Sequence, residues 1–257
     1  LKFKVKKNNN KKKKIKIILI LNFLNKDIDP FKKELYLGEI EKTLKKKSFS
    51  HIKILLNHTS KDNSFFNNFN IKKNIRLLPK KIDIKNEFFI IANMYKYFFK
   101  YLLKSISEKN NIKKKFMRSI AVDFLSPDTK KNLIIFKNLK SIFSDYEFKN
   151  LITTYEGFSW ERLAFSACNK INIKAKRVGY QFAGFTKNQH SIFRKLNSKF
   201  DPDIIWTCGL ITKKMLNKKT FSKKIYSIGT ERSALTKFKK KKRSFKKLTC
   251  LVTPEGI

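Results

Sequence analysis

Apolar positions along this chain fall into short runs separated by longer mixed stretches, the rhythm of strands alternating with helices. Ile15-Lys16-Ile17-Ile18-Leu19-Ile20-Leu21 reads as an opening buried strand, and Ile52-Lys53-Ile54-Leu55-Leu56 as a second one ending at Asn57-His58-Thr59. Between them, residues 35–47 read as a basic amphipathic helix. Residues 88–103 are the most hydrophobic helix candidate; Asn93, Lys96, Lys100 and Lys104 recur along it as a wet stripe, and an ordinary core helix is the first reading, with a helix at a membrane surface the alternative that its aromatic and lysine mixture suits. The second half is more regular. Leu151-Ile152-Thr153-Thr154-Tyr155, Ala175 to Tyr180, Asp203 to Cys208, Lys224 to Ile228 and Leu248 to Val252 read as strands, each running into polar or glycine residues. Intervening segments such as residues 210–218 are long enough for crossover helices, so the expected fold is α/β, a Rossmann-like parallel sheet with flanking helices.

The junction after the Leu151 to Tyr155 run holds the densest candidate chemistry, Glu156-Gly157-Phe158-Ser159-Trp160-Glu161-Arg162. Ser159 is placed to cap the helix that follows, while Trp160, Leu163, Ala164 and Ala167 form its core stripe with Arg162, Ser166 and Asn169 opposite. Ligands of open α/β sheets collect outside the carboxyl ends of the strands, where helix N-termini also offer N–H groups. Glu156, just ahead of the helix, is therefore placed for chemistry, the alternative being that it or Glu161 merely complements the helix dipole; Glu161 either contacts substrate or pairs with Arg162 or Arg232 in a purely structural role.

The ordered set Tyr155-Glu156-Gly157, Trp160-Glu161-Arg162, Gly179-Tyr180-Gln181, Asp201-Pro202-Asp203 with Gly209, and Ile228-Gly229-Thr230-Glu231-Arg232 resembles bacterial surface-carbohydrate biosynthesis proteins. These are glycosyltransferase-like proteins of GT-B architecture, akin to capsule and lipopolysaccharide assembly enzymes. The resemblance implies the N-terminal half of a two-domain protein: an acceptor-side domain over residues 1–236, a basic linker over 237–247, and at 248–257 the first strand of a second domain. It implies transfer of a sugar from a nucleotide-sugar donor to a glycan or lipid-linked acceptor. Glu156 would be the catalytic base, with Gly157, Glu161, Gln181, Gly209, Gly229, Thr230, Arg232 and Glu255 binding substrate. Such proteins often carry histidine directly after the Tyr-Gln pair, whereas this chain has Phe182, and His190 lies too far along to stand in for it. A polyol-phosphate transferase of the same architecture and a non-enzymatic nucleic-acid-binding protein are the alternatives.

Charge changes this picture less than its size suggests. The net charge of +42 points, taken alone, to nucleic acid or an anionic membrane surface. Yet only seven of the 61 basic residues are arginine, the side chain suited to bidentate phosphate recognition, and the abundant Lys, Asn, Ile and Phe share A/T-rich codons. Base composition accounts for the charge better than a ligand does; peripheral attraction to an anionic membrane ranks next and nucleic acid last. The basic start with its apolar run lacks the small-residue cleavage site of a signal peptide. Cys168, Cys208 and Cys250 are widely spaced, with neither a CxxC pair nor a histidine cluster, so no metal site is expected and a reducing cytoplasm is the simple setting, at the inner face of the membrane if lipid is met. With no P-loop and no GxGxxG, no cofactor is expected beyond the donor itself. His58, at the end of the second strand, reads as a solvated loop residue or a lining of the cleft.

Overall fold

A computed structural model describes residues 17–24, 36–38, 40–57, 59, 63, 74–183, 191–194, 196–219 and 224–230. His58, His190, Glu231, Arg232 and Glu255, the linker over 237–247 and the strand expected at 248–252 lie outside the described residues.

Seven strands form one sheet: β1 (Ile17–Leu24), β2 (His51–Asn57), β3 (Ile75–Leu77), β4 (Phe148–Thr154), β5 (Lys176–Gln181), β6 (Ile204–Thr207) and β7 (Lys224–Ser227). Every pairing is parallel and the order is β3-β2-β1-β4-β5-β6-β7. The order grows in one direction from β1 through β3, then in the other from β4 through β7. That reversal makes a topological switch point between β1 and β4, the hallmark of a Rossmann-like sheet. The α/β class expected from the pattern is the fold observed.

Alternation sends side chains to two covered faces, as a parallel sheet requires. Leu19, Leu21, Ile54, Leu56 and Leu151 pack beneath α4 (Pro127–Ser144) and α5 (Ser159–Ile171) through Leu139, Phe143, Ala164 and Phe165. Ile18, Ile20, Ile152 and Val178 pack on the other side with Leu37 and with Leu44 of α1 (Ile40–Lys46). The helix expected over 35–47 is thus shorter: Leu37 is buried from a turn ahead of α1, and Gly38 has φ 56°. α6 (Leu210–Lys219) joins β6 to β7.

The crossover from β3 back to β4 holds most of what the pattern did not resolve. It contains α2 (Ile84–Ser107), α3 (Asn111–Phe124) and α4. Local polar side chains start each helix. Asp83 Oδ1 accepts from the Asn86 N–H at 2.9 Å, and Asn110 Oδ1 from the N–H groups of Ile112 at 3.0 Å and Lys113 at 3.1 Å. Ser126 Oγ accepts from the Thr129 N–H at 3.1 Å, followed by Pro127, whose missing N–H costs nothing in a first turn.

The core-helix reading of residues 88–103 is corrected. α2 is longer, and only Ile90, Met94 and Ser105 are buried. It packs chiefly against α3 rather than the sheet, Tyr97 and Tyr101 stacking on Phe124 at 5.3 and 5.5 Å. None of its residues belongs to the hydrophobic clusters that cover the two faces of the sheet.

Candidate functional site

The turn from β4 into α5 is built around one carboxylate. Glu161, with no exposed surface, turns back so that Oε2 accepts from three successive backbone N–H groups, Glu156 at 2.8 Å, Gly157 at 2.8 Å and Phe158 at 2.9 Å. Thr154 donates its hydroxyl to Oε1 at 3.2 Å. Helices expose their first N–H groups, and here a side chain from inside the first turn satisfies the donors just ahead of it. Ser159 is therefore not the cap: Phe158 holds the capping position, and Ser159 begins the helix. Burial pushes the Glu161 carboxyl up to about 8, against the pull of the three N–H donors, with the charge of Glu156 adding to the rise. Both oxygens of Glu161 face donors of the chain itself, while Arg162, one of the two partners expected of it in a structural role, pairs with Asp201.

Gly157 is required at its place for two independent reasons. Its φ is +86°, a region side chains avoid, and a Cβ there would lie 2.5 Å from the backbone nitrogen of Ile192. The segment 191–194 thus closes directly over the turn. Arg162 fixes that closure. Its Nη2 donates to the carbonyls of Ser191 at 2.7 Å and Arg194 at 3.3 Å, its Nε to the Gly157 carbonyl at 3.3 Å, and its Nη1 to Asp201 Oδ1 at 2.5 Å. The guanidinium lies 5.8 Å from the centre of the Tyr155 ring, whose hydroxyl donates to Asp201 at 3.3 Å. Burial and the neighbouring Asp201 charge push the Tyr155 phenol above its ordinary range. Arg162, expected on the solvent side of the helix, is 5% exposed, and Ser166 is buried beside it. Of the expected core stripe, Trp160, Ala164 and Ala167 are buried and Leu163 is half-buried.

Glu156 and Gln181 meet at the carboxyl ends of β4 and β5. Glu156 is 5% exposed, and its Oε1 accepts from Gln181 Nε2 at 3.4 Å and the Ala183 N–H at 3.3 Å. Gln181 has no exposed surface; its amide also donates to the Ala183 carbonyl and accepts from Cys208 Sγ at 3.7 Å. Gln181 therefore holds the Glu156 carboxylate through its amide.

The glycines of the later strands lie further along the same edge. Gly209 sits between β6 and α6, its carbonyl accepting from Thr207 Oγ1 at 3.0 Å, with nothing within 4 Å of where a Cβ would lie. Gly229, with φ +84°, follows β7 and its carbonyl accepts from the Tyr180 hydroxyl at 3.0 Å; Thr230 beside it is half-buried. From β4 to β7 is three strand spacings, about 14 Å. The Gly229 carbonyl nonetheless reaches back toward β5, whose Tyr180 lies beside Thr154 of β4.

At the switch point itself an aromatic cluster lies between the two halves of the sheet. Phe23, near the end of β1, meets Trp160 edge-on at 4.6 Å and Tyr36 at 5.8 Å; Tyr36 meets Phe182 edge-on at 4.9 Å. Phe182 is a packing residue in this chain. A separate cavity of about 370 Å³ opens beyond the ends of β2 and β3, lined by Asn57, Thr59, Leu78, Lys80, Lys130 and Lys131 among others. Neither Glu156 nor Gln181 lines it.

No protein-family model matches the chain, and no curated protein matches it. Among solved structures it is similar to the UDP-GlcNAc 2-epimerase from Methanocaldococcus jannaschii, with 12% identity and a TM-score of 0.45 over 84% of this chain and 46% of that one. The chain spans about half the length of that enzyme. Similarity at this level carries no chemistry across.

Sequence reasoning missed Asp201 as the partner of Arg162, the Ala183 N–H, and the aromatic cluster. A signal for the first was present: a carboxylate pair flanking proline, Asp201-Pro202-Asp203, just ahead of a strand beside one whose second residue is Arg177. Asp203 takes Arg177 in a two-pronged pair, Oδ2 to Nε at 3.1 Å and Oδ1 to Nη2 at 2.5 Å, which leaves Asp201 to Arg162. Among the described residues no group of His, Cys, Asp and Glu could hold a metal ion. Cys168 is fully buried, and burial pushes its thiol up to about 12, so it is chemically quiet.

Proposed function

We propose that the protein is a glycosyltransferase-like enzyme that handles a nucleotide sugar at the carboxyl edge of its sheet, in the synthesis of surface polysaccharide. The observation that supports this reading is the meeting of Glu156 with Gln181 at the ends of β4 and β5, next to the switch point where Rossmann-like sheets bind ligands. In sugar transfer an acceptor hydroxyl displaces the nucleotide, and a carboxylate that takes the hydroxyl proton lowers the barrier. Glu156 fills that role, with Gln181 and the Ala183 N–H holding its carboxylate in one orientation. Gly157 lets the chain approach closely, and Gly209, Gly229 and Thr230 line the same edge for the nucleotide, whose extended shape spans the distance to β7. Arg232 and Glu255 belong to this proposal as further contacts, the former to phosphate. The domain described here serves the acceptor, a glycan or lipid-linked one, in a two-domain GT-B arrangement, and needs no cofactor besides the donor.

The test is Glu156→Gln, assayed by nucleotide release from a panel of UDP-, GDP- and CMP-sugars. The amide retains an acceptor for Gln181 and Ala183 yet takes no proton, so kcat should fall by about two to four orders of magnitude with the fold intact. Undiminished turnover removes Glu156 from the chemistry; no nucleotide release from any donor by the wild-type protein removes the transferase reading.

A further inference from the structure

Helix α2 bears a second apolar face that the described chain does not cover. At 100° per residue, Ile84, Phe88, Tyr95, Phe99 and Ile106 fall within about 60° of arc, with Leu103 beside them. The buried Ile90, Met94 and Ser105 are centred roughly 120° round the helix. Exposure is 73% for Phe88, 53% for Phe99 and 63% for Ile106, values that fit solvent-facing positions rather than gaps in a core. α3, packed alongside, adds Ile112 and Phe116, also exposed. Water is a poor partner for so much contiguous apolar surface.

Charge identifies what covers it. Lys85, Lys96 and Lys100 run along one side of the stripe and are exposed, and Lys109, Lys113 and Lys115 continue the basic surface onto α3. The acids of the hairpin are Glu87, Glu108 and Asp123, and Glu87 is committed to Lys130 at 2.6 Å. A second copy of this hairpin would bring lysines against lysines. An anionic lipid surface offers headgroups for the ammonium groups and acyl chains for the rings, and aromatic and basic side chains together are what interfacial helices use. No helix among the described residues is long and apolar enough to cross a membrane, so the geometry is that of a helix lying in the interface.

We propose that the α2 and α3 hairpin docks the protein on an anionic phospholipid bilayer, with the Phe88, Tyr95, Phe99 and Ile106 stripe inserted and the flanking lysines on the headgroups. The proposal stands independently of the sugar-transfer reading. Because a net charge of +42 draws any anionic vesicle, the discriminating test removes rings and leaves charge untouched. Flotation of the chain with vesicles of phosphatidylcholine alone, or mixed with phosphatidylglycerol, is compared with that of the double variant Phe88→Ser, Phe99→Ser at about 0.15 M salt, where long-range attraction is screened. The wild-type protein should float with the mixed vesicles, and the variant should lose at least about tenfold in partitioning while keeping its circular dichroism. A second variant, Lys96→Glu with Lys100→Glu, should lose selectivity for the anionic vesicles. Equal flotation of the Phe88→Ser, Phe99→Ser variant overturns the proposal, since charge alone then suffices, as does absence of flotation by the wild type. Self-association of the wild type, abolished in that variant and without vesicle binding, assigns the face to a second copy instead.

Discussion

Helix α5 carries Glu161, Arg162 and Ser166 within its first eight residues and buries all three, whereas α2 carries Phe88, Tyr95, Phe99 and Leu103 and exposes them. The more polar helix lies in the core and the more apolar one outside it. What separates them is the availability of partners. Glu161 Oε2 finds three donors in its own turn and Oε1 the Thr154 hydroxyl at the end of β4, while Arg162 finds four acceptors on three segments, which offsets part of the desolvation of each. α2 meets α3 along one side, and no second layer among the described residues lies over its aromatic stripe. Burial follows the layer order of the sheet, β4 to α5 at its centre and the long crossover at its edge, more than the apolar content of each helix.

Removing one partner at the centre should have the largest effect. Arg162→Met keeps the length of the stem but leaves Asp201 facing a site that is 6% exposed with no guanidinium. Breaking a buried pair from one side costs about 3–5 kcal/mol, and a fall of that size in urea-unfolding free energy is expected. A loss under about 1 kcal/mol would mean that the 191–194 closure is not held by this residue.

A smaller effect, a few kcal/mol at most, should come from pH. The folded-state pKa of Glu161 is raised from 4.5 to about 8, so between those values the folded protein binds more protons than the unfolded chain. Its contribution is therefore fully present below pH 4.5 and is lost as pH rises through 8. Unfolding free energy should decline across that window in the wild type, and Glu161→Gln should flatten the decline. A slope of opposite sign would mean the three N–H donors outweigh burial and keep the carboxylate ionised.

The sheet was legible because central parallel strands are continuous apolar runs, and Leu19 to Leu21 or Leu151 to Ile152 have few other readings. Its order was not, since β3 is only Ile75–Leu77, a tripeptide that periodicity cannot separate from a loop. The site was legible as a place: two carboxylates and a glycine between a strand and a helix. The roles within it were not. Glu161 and Gln181 read as ligand contacts because an exposed polar residue and one satisfied internally look alike in one dimension. Only Gly157, with positive φ and the chain of Ile192 against it, and the Glu161 hydrogen bonds reveal how tightly the turn is closed.

Gly179→Ala probes the same closure from the sheet side. A Cβ on Gly179 would come 2.8 Å from Tyr155 Cβ and 2.9 Å from its Cγ, displacing the residue that precedes Glu156 and bonds Asp201. Overpacking of this kind costs about 1–3 kcal/mol, and catalysis should fall along with stability if Glu156 is the base. Loss of stability with unaltered turnover would detach Tyr155 from the site.

The smallest effect is expected where the side chain is large and apolar but uncovered. Phe99→Ser should change unfolding free energy by no more than about 0.5 kcal/mol, the range of surface substitutions away from special features. Phe99 meets the rings of Phe98 at 5.0 Å and Tyr95 at 6.5 Å, and its spacing from Tyr95 is the i, i+4 relation, whose contacts contribute a few tenths of a kcal/mol on a helix surface. Phenylalanine and serine have similar helix propensities, so the backbone is nearly indifferent to the exchange. The ring is 53% exposed in the folded chain, which leaves little transfer free energy to lose on truncation. Denaturant unfolding of Phe99→Ser beside Arg162→Met therefore sets the two helices on one scale. A loss above about 2 kcal/mol for the phenylalanine would show that another part of this chain covers α2 in solution, and the contrast between a partnered centre and an unpartnered edge would then fail.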